Sequence, residues 1–166
     1  MDKEHSGKRP LPALIMQLYR AQAHLYERHF GMSQSRLNLV RELGQSGEIS
    51  QAELVQLLDM EGTLVTRFVK DMEAAELLTR RRDPRDNRFT LVTLTPTGQD
   101  LAQRMAAFTH TLESQVLEGF GDEAVSIIRE GIEQIQEKYS HFALIDNLQK
   151  KSQALNGSDQ GKNLGK

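Results

Sequence analysis

Apolar side chains recur at three- and four-residue intervals near the start of the chain, which is the spacing of one face of an α-helix. The first series comprises Leu11, Leu14, Ile15, Leu18 and Leu25, and the second comprises Leu37, Val40 and Leu43. The first predicts a helix over about Pro10–His29 that Gly31 ends. The second predicts a helix that begins after an N-cap at Ser33 and closes at Gly44 and Gly47.

Two further helices are predicted to be short and to follow one another closely. Ser50–Glu53 has the Ser-x-x-Glu pattern of a capping box, which opens the first of them. The second runs from about Glu61 to Ala75, and its apolar stripe comprises Leu64, Val65, Phe68, Val69 and Met72. Its other side carries polar residues at positions i, i+3, i+4 and i+7, namely Thr63, Thr66, Arg67 and Lys70. This arrangement is typical of a helix-turn-helix.

The hydrophobic period then changes to that of β-strands. Leu78–Arg82 and Phe89–Leu94 alternate or are β-branched, which predicts two strands. Asp83–Asn87 between them is rich in turn-forming residues. We therefore expect a β-hairpin whose tip carries arginines.

The C-terminal half predicts two more helices and a tail. Thr95 is an N-cap with Pro96 at the first helical position, and this helix runs to about Gly119. The last helix has apolar residues at helical spacing, namely Val125, Ile128, Ile132, Ile135, Tyr139 and Phe142. It extends to about Leu148, and from Gln149 onward the polar composition predicts disorder.

Composition excludes several classes of protein. The chain has 166 residues and no cysteine, which rules out disulfides, thiolate metal sites and thiol redox switches. No apolar run reaches the roughly 18 residues of a membrane span. The first ten residues are polar and charged, so they are not expected to be a secretory signal. A cytoplasmic location follows as the expectation.

The formal net charge is −2, but the charges are unevenly placed. The segment between Leu77 and Thr90 is basic and contains Arg80, Arg81, Arg82, Arg85 and Arg88. The segment between Leu112 and Tyr139 is acidic and contains Glu113, Glu118, Asp122, Glu123, Glu130, Glu133 and Glu137. A basic patch on an acidic body can bind phosphate locally.

The polar face of the helix at 61–75 has the chemistry needed in a DNA major groove. An arginine such as Arg67 can bond guanine O6 and N7 together, and a lysine such as Lys70 suits a phosphate oxygen. Thr63 and Thr66 offer a hydroxyl to a base or phosphate and a methyl to thymine. Taken alone, the same face is equally explained as a solvated helix surface.

The hairpin favours the DNA hypothesis. Arg85 and Arg88 at its tip can enter a neighbouring minor groove, where negative potential is concentrated. Asp86 is predicted to hold one of these arginines in a fixed pose. Three successive arginines on one strand, Arg80 to Arg82, cannot all face the same way, and at least one is expected near the DNA backbone. The alternative is a charged edge strand that prevents sheet-to-sheet pairing.

At these residues the chain resembles a known family. Four motifs carry the resemblance, namely Ser50–Leu54, Thr63–Arg67, Asp83–Arg88 and Leu94–Gly98. In order and spacing the stretch from Met32 to Gly98 is similar to the multiple-antibiotic-resistance regulator (MarR) family of bacterial winged-helix transcription factors. The Asp-Pro-x-Asp-x-Arg hairpin followed by Leu-Thr-x-x-Gly is the more specific part.

The resemblance implies a mainly α (α+β) fold, a winged helix-turn-helix with flanking N- and C-terminal dimerisation helices. It implies a homodimer that binds double-stranded DNA at a pseudo-palindromic operator, most commonly as a repressor. The family's recognition-helix contacts fall on Thr63, Thr66, Arg67 and Lys70, and its minor-groove arginine falls on Arg88, oriented by Asp86. Gly62 departs from the pattern, because a side chain often occupies that position, and glycine slightly weakens the start of the helix there.

Five segments follow as the expected domain organisation. They are a flexible N-terminus over 1–9, a dimerisation helix over 10–30, the winged domain over 31–98, C-terminal dimerisation helices over 99–148 and a disordered tail over 149–166. A winged domain of roughly 65 residues has too little surface to cover the apolar stripes of all the terminal helices, so a second copy of the chain is expected to cover them.

The resemblance also implies a small aromatic or anionic effector that changes DNA affinity. Candidate lining residues are Tyr19, Tyr26, Phe30, Arg36 and Phe108, but we interpret them as packing residues and assign none to a ligand. No cofactor is expected. His24 and His29 point about 140° apart on a helix and do not form a metal-ligand pair, so no metal site is predicted either.

Two other functions are alternatives to DNA binding. An enzyme is disfavoured because the chain has no phosphate-binding glycine loop, nucleophile elbow or metal-ligand motif. The second alternative is a winged helix used only for protein–protein contact, with the basic hairpin as its docking surface.

Overall fold

The computed structural model describes residues 8–160, with the backbone alone for 144 and 146–160. Its elements in chain order are α1 (Leu11–Phe30), α2 (Gln34–Ser46), β1 (Ile49–Ser50), α3 (Gln51–Leu58), α4 (Gly62–Ala74), β2 (Leu78–Arg82), β3 (Thr90–Leu94), α5 (Pro96–Val116) and α6 (Asp122–Gln160). The chain divides into two compact units, Met1–Thr111 and Leu112–Lys166. Of the predicted flexible N-terminus, residues 1–7 lie outside the described part.

The N-terminal boundaries of α2 and α3 are stabilised in different ways. The capping box is confirmed, because Ser50 Oγ accepts from the Glu53 backbone N–H and the Glu53 carboxylate accepts from the Ser50 backbone N–H. Ser33 occupies the N-cap position of α2, but its side chain makes no capping bond. The first backbone N–H of α2, at Gln34, instead donates to Glu27 Oε1 at 2.8 Å. The side chain of Glu27 in α1 therefore caps the start of α2, which is the role predicted for Ser33.

Gly44 does not end α2, contrary to the prediction. The helix continues to Ser46, and Gly47 follows it with a φ of 73°, which glycine adopts without strain. At Gly44 a Cβ atom would lie 3.0 Å from Ala102 Cβ on α5, so the glycine allows α5 to approach α2 closely. The two glycines thus have separate roles.

The sheet has three antiparallel strands in the order β1-β3-β2. The predicted hairpin is confirmed as β2 and β3, with Arg80 opposite Val92, and β3 begins at Thr90 rather than Phe89. Sequence periodicity missed β1, because two residues are too short to show an alternation. Its pairing places Ser50 opposite Leu91 and joins the start of α3 to the hairpin.

The core of the first unit is assembled from α1 to α5 and the sheet. Its buried apolar side chains are Tyr26, Leu37, Leu39, Val40, Leu43, Leu54, Val65, Phe68, Val69, Met72, Leu78, Val92, Leu94, Leu101 and Met105. The Tyr26 hydroxyl lies 2.7 Å from Thr109 Oγ1, which ties the end of α1 to α5. The end of α1 and the part of α5 up to Thr109 therefore lie in the same compact unit as the sheet.

The Leu-Thr-x-x-Gly motif forms the joint between β3 and α5. Thr95 Oγ1 donates to the Glu76 carbonyl and accepts from the Gly98 N–H, so it caps α5 as predicted. A Cβ atom on Gly98 would lie 1.9 Å from the Leu77 carbonyl oxygen. Only glycine permits this approach, and the joint fixes how α5 leaves the sheet.

The C-terminal helices differ in length from those expected. Helix α5 ends at Val116, three residues before the predicted stop, and α6 runs from Asp122 to Gln160, past the boundary drawn at Leu148. Residues 149–160 are thus helical in the structure, and residues 161–166 of the predicted tail lie outside the described part. Within residues 8–160, no helix has the length and apolar character required to cross a membrane.

Candidate nucleic-acid interface

Helix α4 presents a polar face to solvent and an apolar face to the core. Thr63, Arg67 and Lys70 are exposed. The opposite face is buried and consists of Val65, Phe68, Val69 and Met72. The guanidinium carbon of Arg67 lies 5.5 Å from the centre of the Phe68 ring, so a cation–π contact orients the end of this exposed side chain.

Thr66 differs from the other three predicted contact residues. It is half-buried, and its hydroxyl donates to the Gly62 carbonyl at 2.7 Å. The same oxygen accepts from Gln51 Nε2 of α3 at 2.6 Å. The hydroxyl proton and one lone pair are therefore already used inside the protein.

The tip of the hairpin, residues 83–89, is held by short-range hydrogen bonds. Asp83 Oδ1 accepts from the Arg85 backbone N–H at 2.8 Å, and the Asp83 N–H donates to the Phe89 carbonyl at 3.1 Å. The Phe89 N–H donates to the Asp86 carbonyl at 3.0 Å. The two aspartates are thus turn-forming residues as well as charges.

The side chain of Asp86 pairs with Arg88, one of the two predicted partners, Arg85 and Arg88. Arg88 Nε lies 3.0 and 3.1 Å from the two carboxylate oxygens, and Nη2 lies 2.7 Å from Oδ2. This pairing lowers the pKa of Asp86 and raises that of Arg88. The Arg88 side chain is nonetheless 85% exposed, against 30% for Asp86, so the cation is oriented without being covered.

The three arginines of β2 have different partners. Arg80 pairs with Glu73 of α4, its Nε donating at 2.8 Å, and Arg81 pairs with Glu48, also at 2.8 Å. These hydrogen bonds lower the pKa of both glutamates. Arg82 has only long contacts, 3.3 Å to the Asn87 carbonyl and 3.4 Å to Thr90 Oγ1. Sequence reasoning missed both glutamate partners, because they come from other elements.

A groove lies between helices α3 and α4 and the hairpin. Its volume is about 560 Å³, and it is lined by Gln51, Ala52, Val55, Gly62, Thr63, Thr66, Arg88, Phe89 and Thr90. Gln51 was not among the predicted site residues, since its place beside the capping box gives no functional signal. The groove brings Thr63, Thr66 and Arg88 to one surface, and Arg67, Lys70 and Arg85 are not part of its lining.

The aromatic candidates for an effector site form a cluster at the end of α1. Tyr26, Phe30 and Phe108 contact one another at ring-centre distances of 5.1 to 6.1 Å, and His29 stacks on Phe108 at 4.1 Å. An open cavity of about 360 Å³ beside them is lined by His29, Phe30, Leu101, Arg104, Ala107, Phe108 and Thr111.

The remaining candidates lie apart from that cavity. Arg36 pairs with Asp71 at 2.7 Å, and Tyr19 is exposed on α1. Over the residues with described positions, no three His, Asp or Glu side chains lie close enough together to hold a metal ion.

The chain has the elements of a winged helix-turn-helix protein. Helix α4 occupies the position of the recognition helix, the short helix α3 precedes it, and the arginine-bearing hairpin of β2 and β3 is the wing. Residues 32–90 match the MarR family. The match covers most of the stretch whose motifs resemble this family, and the resemblance is confirmed there.

One curated protein is similar to about half of the chain. The uncharacterized HTH-type transcriptional regulator YdgJ of Bacillus subtilis is 43% identical over 75 residues, which are 45% of this chain and 46% of YdgJ. The chain thus spans about half the length of this curated relative.

Two solved structures share the fold at low identity. FabT of Streptococcus pneumoniae, solved in complex with DNA, has a TM-score of 0.73 at 13% identity and covers 80% of this chain and 96% of its own. BpsR of Bordetella bronchiseptica, whose DNA binding is regulated by 6-hydroxynicotinic acid, has a TM-score of 0.64 at 20% identity. It covers 76% of this chain and 98% of its own.

Proposed function

We propose that this protein is a sequence-specific regulator of transcription that binds double-stranded DNA. The observation that carries the proposal is the pairing of two exposed cationic elements on one unit. One is the face of α4 that bears Thr63, Arg67 and Lys70, and the other is Arg88, oriented by Asp86 at the hairpin tip. We assign the chain no catalytic activity, and we propose the cytoplasm as its compartment because its target is chromosomal DNA.

The two elements match the two grooves of B-DNA. An α-helix fits the major groove, where Arg67 can bond a guanine edge and Lys70 a phosphate. Arg88 extends from the hairpin and is suited to a narrow minor groove. Arg85 and the weakly held Arg82 supply further positive charge near the DNA backbone. Since Arg80 and Arg81 are paired with glutamates, we leave them out of the interface.

We further propose that two copies of the chain act together. Helix α1 exposes large apolar side chains, namely Leu11, Leu14, Ile15, Met16, Leu18, Tyr19 and Leu25. Helix α6 does the same with Ile127, Ile128, Ile132, Tyr139, Phe142 and Ile145. Apolar surface of this extent is unfavourable in water and marks a contact surface. A symmetric homodimer buries it and presents two recognition helices to the half-sites of a pseudo-palindrome.

The regulation proposed here is repression relieved by a small aromatic or anionic molecule. The similarity to BpsR supports an effector of this class, because the DNA binding of BpsR is regulated by 6-hydroxynicotinic acid. The cavity beside His29 and Phe108 combines aromatic rings with the cation of Arg104, which is the chemistry that such a molecule requires. Such a molecule changes DNA affinity if the dimer has two conformations that differ in DNA affinity and the molecule binds one of them more tightly than the other.

Selection of bound duplexes from a randomised DNA library tests the proposal. We expect enrichment of one pseudo-palindromic sequence, and an affinity that falls steeply with salt because phosphate contacts release counterions. Sedimentation of the complex should give two chains per duplex. If no duplex is retained even at about 50 mM salt, the protein is not a DNA-binding regulator. The alternative, a winged helix used only for protein–protein contact, is then favoured.

A further inference from the structure

We infer that Gln51 is a positioning residue that sets the first turn of the recognition helix relative to the hairpin tip. The inference rests on the proposed DNA-binding function and adds a residue to it. Gln51 is the first residue of α3, and its side-chain amide reaches across to Thr66 on α4. Through that hydrogen bond it acts on DNA recognition indirectly, by way of Thr66.

The contact is one part of a hydrogen-bond chain. Gln51 Nε2 donates to Thr66 Oγ1 at 2.6 Å, and Thr66 Oγ1 donates to the Gly62 carbonyl at 2.7 Å. Gly62 is the first residue of α4, and the N-cap residue before it, Glu61, makes no side-chain capping bond. The first turn of α4 is therefore tied to α3 by side chains, although it lacks the local cap that α3 has.

The other side of Gln51 is connected to the sheet. Ser50, the preceding residue, caps α3 and pairs with Leu91 of β3 in the β1–β3 ladder. Leu91 is three residues from Arg88, and the hydrogen bonds of the hairpin tip continue from β3 to that arginine. A path of covalent and hydrogen bonds thus runs from Thr66 through Gln51 and β3 to Arg88.

This path matters because both ends of it contact DNA in the proposed function. The recognition helix lies in a major groove and Arg88 lies in a minor groove, so their separation must match the spacing of adjacent grooves. Gln51, Thr66 and Arg88 line the same groove of the protein. In the proposed complex, the DNA backbone that separates the major groove from the minor groove passes along it. Because the Thr66 hydroxyl is engaged within the protein, its loss acts through the position of α4 rather than through a lost bond to a base.

The test compares binding of a selected duplex with binding of a scrambled duplex of equal length at one salt concentration. The variants are Gln51→Ala, Thr66→Val, which lacks the hydroxyl, and Thr66→Ser, which keeps it. Gln56→Ala is the matched control, since Gln56 is an exposed glutamine on the same helix. Urea unfolding of each variant checks that it is folded at the assay temperature.

We expect Gln51→Ala and Thr66→Val each to weaken binding to the selected duplex by about fivefold, the effect of one neutral hydrogen bond. Binding to the scrambled duplex should change by less than about twofold, because phosphate contacts dominate it. The double variant should be no worse than Thr66→Val alone, since that variant already removes the bond that Gln51→Ala removes. Thr66→Ser and Gln56→Ala should behave as the parent protein does.

Three results overturn the inference while leaving the proposed function intact. They are equal loss on both duplexes, additive losses in the double variant, and a Thr66→Ser variant as weak as Thr66→Val. If one of the two single variants is unfolded at the assay temperature, the other one carries the test, because each removes the hydrogen bond between Gln51 and Thr66. Absence of any selected duplex overturns the DNA-binding function itself, and the inference with it.

Discussion

Thr66 and Arg67 are neighbours on α4, yet the structure gives them different surroundings. The hydroxyl of Thr66 is bonded to Gln51 and Gly62, whereas Arg67 is exposed and its guanidinium contacts the Phe68 ring. Helical spacing predicts that both residues lie on one polar face. Their roles differ because their side chains have different partners. Arg67 is the one suited to read a base edge.

Replacing Arg67 by alanine should therefore reduce discrimination more than general affinity. We expect the free-energy difference between operator and random duplexes to fall by about 1–3 kcal/mol, the usual effect of losing one bidentate base contact. Titration of both duplexes at fixed salt measures it. Lys70→Ala is the comparison, because loss of a phosphate contact should weaken both duplexes similarly. An equal loss on both DNAs for Arg67→Ala would assign Arg67 to phosphate instead.

Two glycines allow a matched test of packing. A Cβ on Gly98 meets the Leu77 carbonyl oxygen at 1.9 Å, whereas one on Gly62 meets nothing nearer than Val55 Cγ2 at 3.9 Å. Gly98→Ala should lower the free energy of unfolding by about 1–3 kcal/mol or more, since the backbone must shift. Gly62→Ala should be neutral or stabilising by up to roughly 1 kcal/mol, because alanine favours a helix. Urea unfolding of the free protein gives both values.

At the scale of elements, strand β2 presents less positive charge than its sequence indicates. Arg80 is joined to Glu73 of α4 and Arg81 to Glu48, which lies just before β1. Both arginines thus join the strand to neighbouring elements. The basic surface offered by the hairpin is concentrated on Arg82, Arg85 and Arg88.

Freeing Arg81 should add a phosphate contact. In Glu48→Gln the guanidinium loses its carboxylate partner, so we expect DNA binding to tighten at low salt. The slope of log affinity against log salt should steepen by up to about 0.9, which corresponds to one further phosphate. Glu113→Gln is the control, since it removes an equivalent pair with Arg129 in the second unit. An unchanged slope in Glu48→Gln would mean that Arg81 does not reach the DNA.

The same ion pairs predict a loss of stability in acid. Glu48, Glu73 and Asp86 have folded-state pKa values below the ordinary 4.5 of glutamate and 3.8 of aspartate, because arginines bond their carboxylates. A carboxyl with a depressed pKa stabilises the fold above its unfolded value, and that contribution is lost as the pH falls through the folded one. Urea midpoints should therefore drop below about pH 4.5. The drop should be smaller in Glu73→Gln, and an identical acid profile would count against the Arg80–Glu73 pair.

At the scale of the whole molecule, the terminal helices leave apolar surface uncovered. Ile132 on α6 is 52% exposed, and its helix carries further exposed isoleucines together with Tyr139 and Phe142. We propose that a second copy of the chain buries this apolar surface in a homodimer. DNA binding then depends on the association, because two half-sites bind one dimer.

Ile132→Lys should separate the copies. A lysine in an apolar contact surface leaves a charge to be desolvated, so we expect single chains in sedimentation at micromolar concentration. Operator affinity should fall with the loss of the second recognition helix. Gln134→Lys adds the same charge at another exposed position of α6 and should stay dimeric. Should Ile132→Lys remain a dimer with full affinity, this face of α6 is not the contact surface.

The sequence by itself determined the types of most elements and the order in which they occur. Local signals decide these features, and each is strong here, as the Ser50–Glu53 capping box, the alternation in β3 and the Thr95-Pro96 helix start illustrate. The polar face of α4 and the Asp86–Arg88 pair also depend on residues that are close together in the sequence. Element ends were less well defined, because at Gly44 packing against Ala102 outweighs the tendency of glycine to end a helix.

Tertiary structure alone decided which charges are free and which side chains hold the site together. Glu48 reaches Arg81 across 33 residues, Glu73 reaches Arg80 from another element, and Gln51 reaches Thr66 between two helices. The pairing of the two-residue strand β1 with β3 is of the same kind. Such contacts depend on how elements pack, and no periodicity within a single element encodes them.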